Sequence, residues 1–283
     1  MTLQEAWNKG SEVLEQAGIV EAKLDAWYLL EHVTKIGRAM YYADSQKVMS
    51  LEEEKQFLFY ITERSKRIPL QHLTGVQEFM GLEFLVNEHV LIPRQDTESL
   101  VEQAIDILKT IPSTEEKEVL DMCTGSGCIL LSILQYVKGP IKGVGVDISG
   151  LALETAKKNA DRLNLHADFL HSDLFDEVKG CYNMIVSNPP YIQTEVIQTL
   201  QEEVQFHDPY LALDGKEDGL YFYREIIAVA HQYLKQKGWL LFEIGFDQGE
   251  AVSRMMKDAG YQHVEVKKDL AGLDRIVLGM YDR

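Results

Sequence analysis

The sequence predicts an α/β protein: a mostly parallel sheet with one antiparallel strand near the C-terminus, preceded by a small all-α domain and a β-hairpin linker. Three observations carry this. Apolar residues recur at helical spacing as far as about Ile68. A period-two run surrounds Gly81. From Glu118 onward strand-like and helix-like segments alternate, the pattern of a parallel sheet with right-handed crossovers. The implied boundaries are 1–72 for the helical domain, 73–93 for the linker and 94–283 for the sheet domain, and a chain of 283 residues can bury such a core without staples.

In the helical part, Ala22, Ala26, Leu29, Leu30 and Val33 share one face. Ser50-Leu51-Glu52-Glu53 reads as a capping box, with Leu51, Leu58 and Ile61 on one face of the helix it opens. Arg64, Lys66 and Arg67 form a short basic cluster, read as a solvated helix end. No residue of this domain signals catalysis, which suits a docking or lid element. Val76, then Leu82, Phe84 and Val86, alternate as a hairpin. Pro93-Arg94-Gln95-Asp96-Thr97-Glu98 leads into a helix whose apolar face holds Leu100, Val101, Ala104, Ile105 and Leu108, with Asp96 or Thr97 as its cap.

Strands are expected over 118–122, 142–146, 167–170 and 182–187, with a helix over 151–163. Residues 192–215 read as an insertion. A helix over 220–234, a strand over 239–244 and a helix over 251–259 follow. Residues 261–266 and 275–280 are expected to form an antiparallel pair that closes the sheet.

Composition narrows the function. Lys plus Arg number 28 against 45 Asp plus Glu, a net charge of −17. So acidic a body lacks the basic footprint of a general nucleic-acid binder. The three cysteines, Cys123, Cys128 and Cys181, form neither a disulfide framework nor a zinc pattern, so no metal is expected. The N-terminus carries no apolar signal core and no run reaches the length of a membrane span. The reading is a soluble cytoplasmic protein.

Two motifs carry chemistry. Val119-Leu120-Asp121 ends a strand, Cys123-Thr124-Gly125-Ser126-Gly127 turns, and a helix follows. Gly125 and Gly127 permit close backbone approach to a ligand. Asp147 ends the next strand, 20 residues beyond Gly127, where a carboxylate can accept from two ribose hydroxyls or cap the helix near Ser149. This marks an adenosine-containing cofactor without choosing between a nicotinamide and S-adenosylmethionine, although Leu130 stands where a dinucleotide fingerprint wants a third glycine. The second motif, Ser187-Asn188-Pro189-Pro190-Tyr191, settles the choice. Proline cannot donate to a ladder, so the strand must stop at Asn188, at the sheet edge where open α/β folds bind ligands. Asn188 offers an amide acceptor and donor, and Tyr191 a flat ring, a set able to grip a planar amide or exocyclic amine. Asp121 is balanced between a structural partner of the loop and a cofactor contact. His207 and Glu243 carry no motif and are taken as structural, and Cys128 as core.

With Asn188-Pro189-Pro190-Tyr191 ending the fourth strand, the chain resembles the class I S-adenosylmethionine-dependent methyltransferases that act on planar nitrogens, with a Rossmann-like sheet. With Pro93-Arg94-Gln95-Asp96-Thr97-Glu98 ahead of the domain, and the stretches 214–219 and 269–278, it resembles the HemK-type protein-glutamine N5-methyltransferases over nearly its whole length. That family methylates the glutamine of a Gly-Gly-Gln motif in peptide chain release factors. The resemblance implies S-adenosylmethionine as cofactor and S-adenosylhomocysteine as product. Cys123, Thr124, Gly125, Ser126 and Gly127 would line the methionine part, Asp147 the ribose, and Asp173 and Leu174 the adenine region, with Asn188 touching cofactor and substrate alike. Asn188, Pro189, Pro190 and Tyr191 would hold the glutamine, with Asn188, Pro189 and Tyr191 the catalytic set. It implies release factors as partners, with the helical domain docking them, and a monomer that touches neither membrane nor nucleic acid. An adenine amino-methyltransferase and a non-catalytic S-adenosylmethionine binder are the alternatives. Two departures stand out. Cys123 replaces a glycine, which matters little at a negative φ. Gln95 replaces a proline, which bears on the stiffness of its loop.

Overall fold

The computed structural model of the chain describes residues 1–282. Residues 1–76 and 201–207 make one compact unit, and residues 77–200 with those from 208 onward make another.

The first unit is helical: α1 (Leu3–Gln16), α2 (Ala22–Thr34), α3 (Arg38–Ala43), α4 (Leu51–Ser65) and α5 (Leu70–Thr74). The expected box opens α4: Glu53 N donates to Ser50 Oγ at 3.2 Å and Ser50 N to Glu53 Oε2 at 2.7 Å. Leu14, Ala26, Leu30, Phe57 and Ile61 fill the core. A Cβ on Gly10 would stand 2.8 Å from the Phe57 ring, so α1 and α4 meet there only over glycine. The basic cluster is a solvated helix end only at Lys66, which is exposed at the C-cap of α4. Arg64 is buried, donating from Nε to Asp25 Oδ2 at 2.7 Å and from Nη2 to Glu203 Oε1 at 3.0 Å. A buried guanidinium persists only when paired, and Glu203 comes from the insertion.

The second unit, from residue 77, holds the rest of the hairpin, β1 (Val76–Phe79) and β2 (Leu82–Leu85), then α6 (Gln95–Lys109). The sheet and its helices follow as β3 (Lys117–Met122), α7 (Cys128–Tyr136), β4 (Ile141–Asp147), α8 (Gly150–Leu163), β5 (Asp168–His171) and β6 (Tyr182–Ser187). The insertion supplies α9 (Glu202–His207), which belongs to the helical unit, and α10 (Tyr210–Leu213). Then come α11 (Tyr221–Ala230), β7 (Leu234–Glu243), α12 (Gly249–Asp258), β8 (Gln262–Lys268) and β9 (Asp274–Tyr281).

The strand order is β5-β4-β3-β6-β7-β9-β8, parallel except where β9 runs antiparallel to its neighbours β7 and β8. Both faces are covered, so successive residues enter different cores. Val119, Met184, Val186 and Leu241 pack with Leu100 and Leu108 of α6. Leu120, Ile185, Leu240 and Phe242 pack with Tyr223 of α11 and Met256 of α12.

Two expected boundaries move. The helix over 220–234 ends at Ala230, and β7 already starts at Leu234, broken by a bulge where Lys237 takes a φ of 58°. The polar run Lys235-Gln236-Lys237 hides that strand start from a hydrophobic reading. Neither Asp96 nor Thr97 caps α6. Arg94 is the N-cap, Asp96 lies in the first turn and Thr97 is buried. Gln95 is the first helical residue, where proline is tolerated because its missing N–H is not needed; the same position serves Gln95. Among the described residues no helix is long and apolar enough to cross a membrane.

Candidate active site

Strands β3, β4 and β6 stop side by side: Met122 is level with Val146 on one flank and with Ser187 on the other. A cavity of about 340 Å³ opens over this carboxyl edge. Its wall takes Cys123, Thr124, Gly125 and Ser126 from the loop after β3 and Asp147 from the end of β4. Asp173 and Leu174 join from beyond β5, and Asn188 and Pro190 from beyond β6. Arg94 and Thr97 at the start of α6, and Leu211 of α10, complete it. Nine of the residues expected to bind ligands therefore meet in one space.

Gly127, Pro189 and Tyr191 are not in the wall. Gly127 is the N-cap of α7 at a φ of 80°, and a Cβ there would come within 3.2 Å of Ala156 and Leu131. Glycine at 127 thus serves helix packing. Pro189 is buried, and Tyr191 packs against the α11 side with its hydroxyl 3.5 Å from Glu243 Oε1. Gln248 Nε2 donates to the Tyr191 carbonyl at 3.0 Å, which pins the end of the tetrapeptide.

The loop carries backbone strain. Cys123 has a φ of 63°, in the region that favours glycine, so the substitution there is not innocuous. A left-handed residue with a Cβ costs roughly 1–2 kcal/mol. Burial pushes the Cys123 thiol up, with the Asp147 and Asp121 carboxylates adding to it, so the thiol keeps its proton. Cys128 is buried as expected and rises to about 12 for the same first cause.

Asp147 already accepts from Gly125 N at 2.9 Å and from Ser149 N at 2.9 Å, so it braces the loop and stays half-buried in the wall. Burial raises its pKa and those amides pull it back. A carboxylate has about four lone-pair sites, which leaves acceptor capacity for ribose hydroxyls. The cap of α8 is Ser149, whose Oγ accepts from Ala152 N at 3.2 Å. Asp121 is fully buried; Oδ2 accepts from Thr124 Oγ1 at 2.6 Å and Oδ1 has no partner. Burial lifts it to about 7.

The sequence reading missed three groups. Glu243, taken as structural, ends β7 next in register to Asn188 and is 2% exposed. Its position at a strand's carboxyl end was the available signal. Thr97 and Arg94, inside a motif already singled out, reach the cavity, and Arg94 Nη2 donates to the buried Asp208 Oδ2 at 2.5 Å.

Residues 5–75 match the family profile described as the PrmC N-terminal domain, and residues 101–216 the methyltransferase small domain. The chain is 38% identical to a release factor glutamine methyltransferase of Caulobacter vibrioides, over 99% of this chain and 96% of the relative. It is 37% identical to one of Clostridium acetobutylicum, over 99% of both chains. A methyltransferase structure from Pyrococcus furiosus superposes with a TM-score of 0.54 at 15% identity, over 78% of this chain and all of that one, and so speaks for the fold alone.

The Asp121 carboxyl yields a test with a definite sign. Its folded value of about 7 stands above the ordinary 3.8, so between these values the folded state holds a proton that the unfolded state has lost. Stability from this group therefore falls as pH rises through that window and levels off above it. Asp121→Asn keeps an acceptor for Thr124 without the charge. Its melting temperature relative to the wild type is expected to climb between about pH 5 and about pH 8. A difference that stays flat in calorimetric scans would mean that the carboxyl titrates normally.

Proposed function

The chain belongs to the release factor glutamine methyltransferase family, and from that membership we propose how its own residues do the work. The enzyme transfers a methyl group from S-adenosylmethionine to the side-chain amide nitrogen, N5, of the Gly-Gly-Gln glutamine in peptide chain release factors. The observation that carries the site assignment is the convergence of the Cys123–Ser126 loop, Asp147 and Asn188 on one cavity.

The cavity fits the cofactor. A Cβ on Gly125 would meet nothing within 4 Å, so open space reaches the backbone there. Cys123 to Ser126 would hold the methionine part, Asp147 the ribose, and Asp173 and Leu174 the adenine, with Gly127 behind them fixing the start of α7. Bound there, S-adenosylmethionine supplies an electrophilic methyl group. The protonated Cys123 thiol is a poor nucleophile, which keeps the loop itself from being alkylated.

A glutamine amide is a weak nucleophile because its lone pair is delocalised into the carbonyl. Orientation, not a strong base, is what the protein must provide. The Asn188 side-chain oxygen and the Pro189 carbonyl each accept one hydrogen of the substrate NH2. Well-oriented reactions draw on roughly 7–11 kcal/mol of such positioning. Preorganised acceptors also favour the positive charge that develops on nitrogen. Pro190 forms the wall beside the amide, and Tyr191 anchors the turn and excludes water from beneath it.

The net charge of −17 favours a protein substrate over a nucleic acid. We further propose a cytoplasmic monomer, and the same acidic body argues against direct nucleic-acid contact. We assign docking of the release factor outside its glutamine loop to the helical unit, where Met40 and Tyr42 on α3 and Phe59 on α4 are exposed.

Three experiments test these roles. Asp147→Ala is expected to weaken S-adenosylmethionine binding by titration calorimetry, since each charge-assisted hydrogen bond is worth roughly 1.5–3 kcal/mol. Unchanged affinity in a folded variant would remove Asp147 from the cofactor site. Asn188→Ala is expected to slow methylation of release factor by roughly 10²–10³, with modest change in cofactor affinity. A full rate would place the chemistry elsewhere. The paired change Tyr42→Lys and Phe59→Lys is expected to raise KM for intact release factor while leaving cofactor affinity alone. An unaltered KM would refute docking at those side chains.

A further inference from the structure

Glu243 is the buried acid that the reaction scheme leaves unused. Parallel pairing sets Val186 of β6 beside Leu241 of β7, so two residues on, Asn188 and Glu243 are neighbours at the sheet edge. Both continue the face that α6 covers, where Val186 and Leu241 pack with Leu100. Glu243 is 2% exposed and its Oε2 has no hydrogen-bond partner among the described residues. Oε1 has only the Tyr191 hydroxyl, at a long 3.5 Å.

The groups around it do not neutralise it. Arg275 of β9 is spent on Asp269 at 3.1 Å, on Asp96 at 3.3 Å and on the Ile244 carbonyl at 3.4 Å. Tyr223 of α11 donates to the Glu243 backbone carbonyl at 2.9 Å, not to its carboxylate. Thr97 of α6 is buried beside it, its hydroxyl near enough to draw on the carboxylate without a well-formed hydrogen bond among the described residues. An acid kept merely for packing would lower the cost of burial by taking Arg275. Burial lifts the Glu243 carboxyl to about 7, while Thr97, Arg275 and the Asn188 side chain draw it back; the register that sets Ser187 level with Phe242 is what makes Asn188 and Glu243 neighbours.

Asparagine is ambiguous by construction: it can show a ligand its oxygen or its NH2. Only the oxygen can accept from a substrate NH2. An ionised carboxylate is acceptor-only, so Glu243 in its charged form selects one orientation of Asn188. We propose that Glu243 is a positioning residue whose carboxylate accepts a hydrogen bond from the Asn188 Nδ2 group and thereby turns Asn188 Oδ1 toward the substrate amide. This rests on the reading of Asn188 as the acceptor for the glutamine NH2. Glutamine at position 243 would keep the shape and lose the selection, because its amide can donate as well as accept.

A double-mutant cycle tests this with release factor as substrate and cofactor affinity measured separately. Glu243→Gln is expected to lower kcat by roughly tenfold or more, the scale of one lost orienting hydrogen bond, with KM and S-adenosylmethionine affinity unchanged. In the Asn188→Ala background the same change is expected to cost nothing further, since the group it orients is gone. Glu243→Asp, which keeps an acceptor-only group, is expected to stay more active than Glu243→Gln. A wild-type kcat for Glu243→Gln beside a crippled Asn188→Ala overturns the positioning role and leaves the reading of Asn188 intact. Losses that multiply in the double variant, or Glu243→Asp falling below Glu243→Gln, also overturn it. Full activity of Asn188→Ala would instead remove the reading on which the role depends.

Discussion

Everything at this site depends on where β6 stops. Pro189 and Pro190 have no amide hydrogen, so the ladder that joins β6 to β3 and β7 cannot continue past Ser187. The chain must leave the sheet there, and it leaves with Asn188 facing the cavity in which the loop after β3 and the end of β4 also stand. The exit is held from behind. Gly215 and Gly219 have room for no side chain, since a Cβ would come within 2.8 Å of the Tyr191 backbone at one and 2.5 Å of its carbonyl at the other. Gln248 closes on the same carbonyl. The insertion thus begins and returns at one fixed point, with Gly215 N donating to the Ile192 carbonyl at 2.8 Å.

Acids stand near the carboxyl ends of β3, β4 and β7. Asp121 and Glu243 both lie near 7 through burial, and the Asp147 carboxyl is also raised. A fold spends stability to keep such groups, and the compensation is sought in what the site does. Here the acids divide the labour. Asp121 and Asp147 hold the loop through Thr124 and Gly125, Asp147 also accepting from Ser149 N, and Glu243 stands next in register to Asn188, to which we assign the substrate.

Local signals made much of this legible in the sequence. The Ser50 and Glu53 box, the proline-terminated strand and the glycine loop each act within a few residues of themselves, so the sequence displays cause and effect together. The antiparallel closure by β8 and β9 was readable for the same reason. What stayed hidden depends on distant partners. Arg64 resembles a solvated cation until Asp25 and Glu203 are placed beside it, the latter 139 residues away. Glu203 also draws α9 out of the insertion and into the helical unit. Glu243 and Asn188 come together only through the β6–β7 register, and no motif spans it. The positive φ of Cys123 was undecidable, because a cysteine in a turn carries no mark of the backbone's hand.

The central claim is that Asn188 presents its oxygen to the substrate amide. A crystal structure of this chain with S-adenosylhomocysteine and a Gly-Gly-Gln peptide tests it most directly. The account predicts the glutamine NH2 at about 2.9 Å from Asn188 Oδ1, with the Asn188 nitrogen turned toward Glu243. A glutamine whose carbonyl oxygen faces Asn188, or whose amide lies outside the Asn188–Pro190 wall, would contradict it.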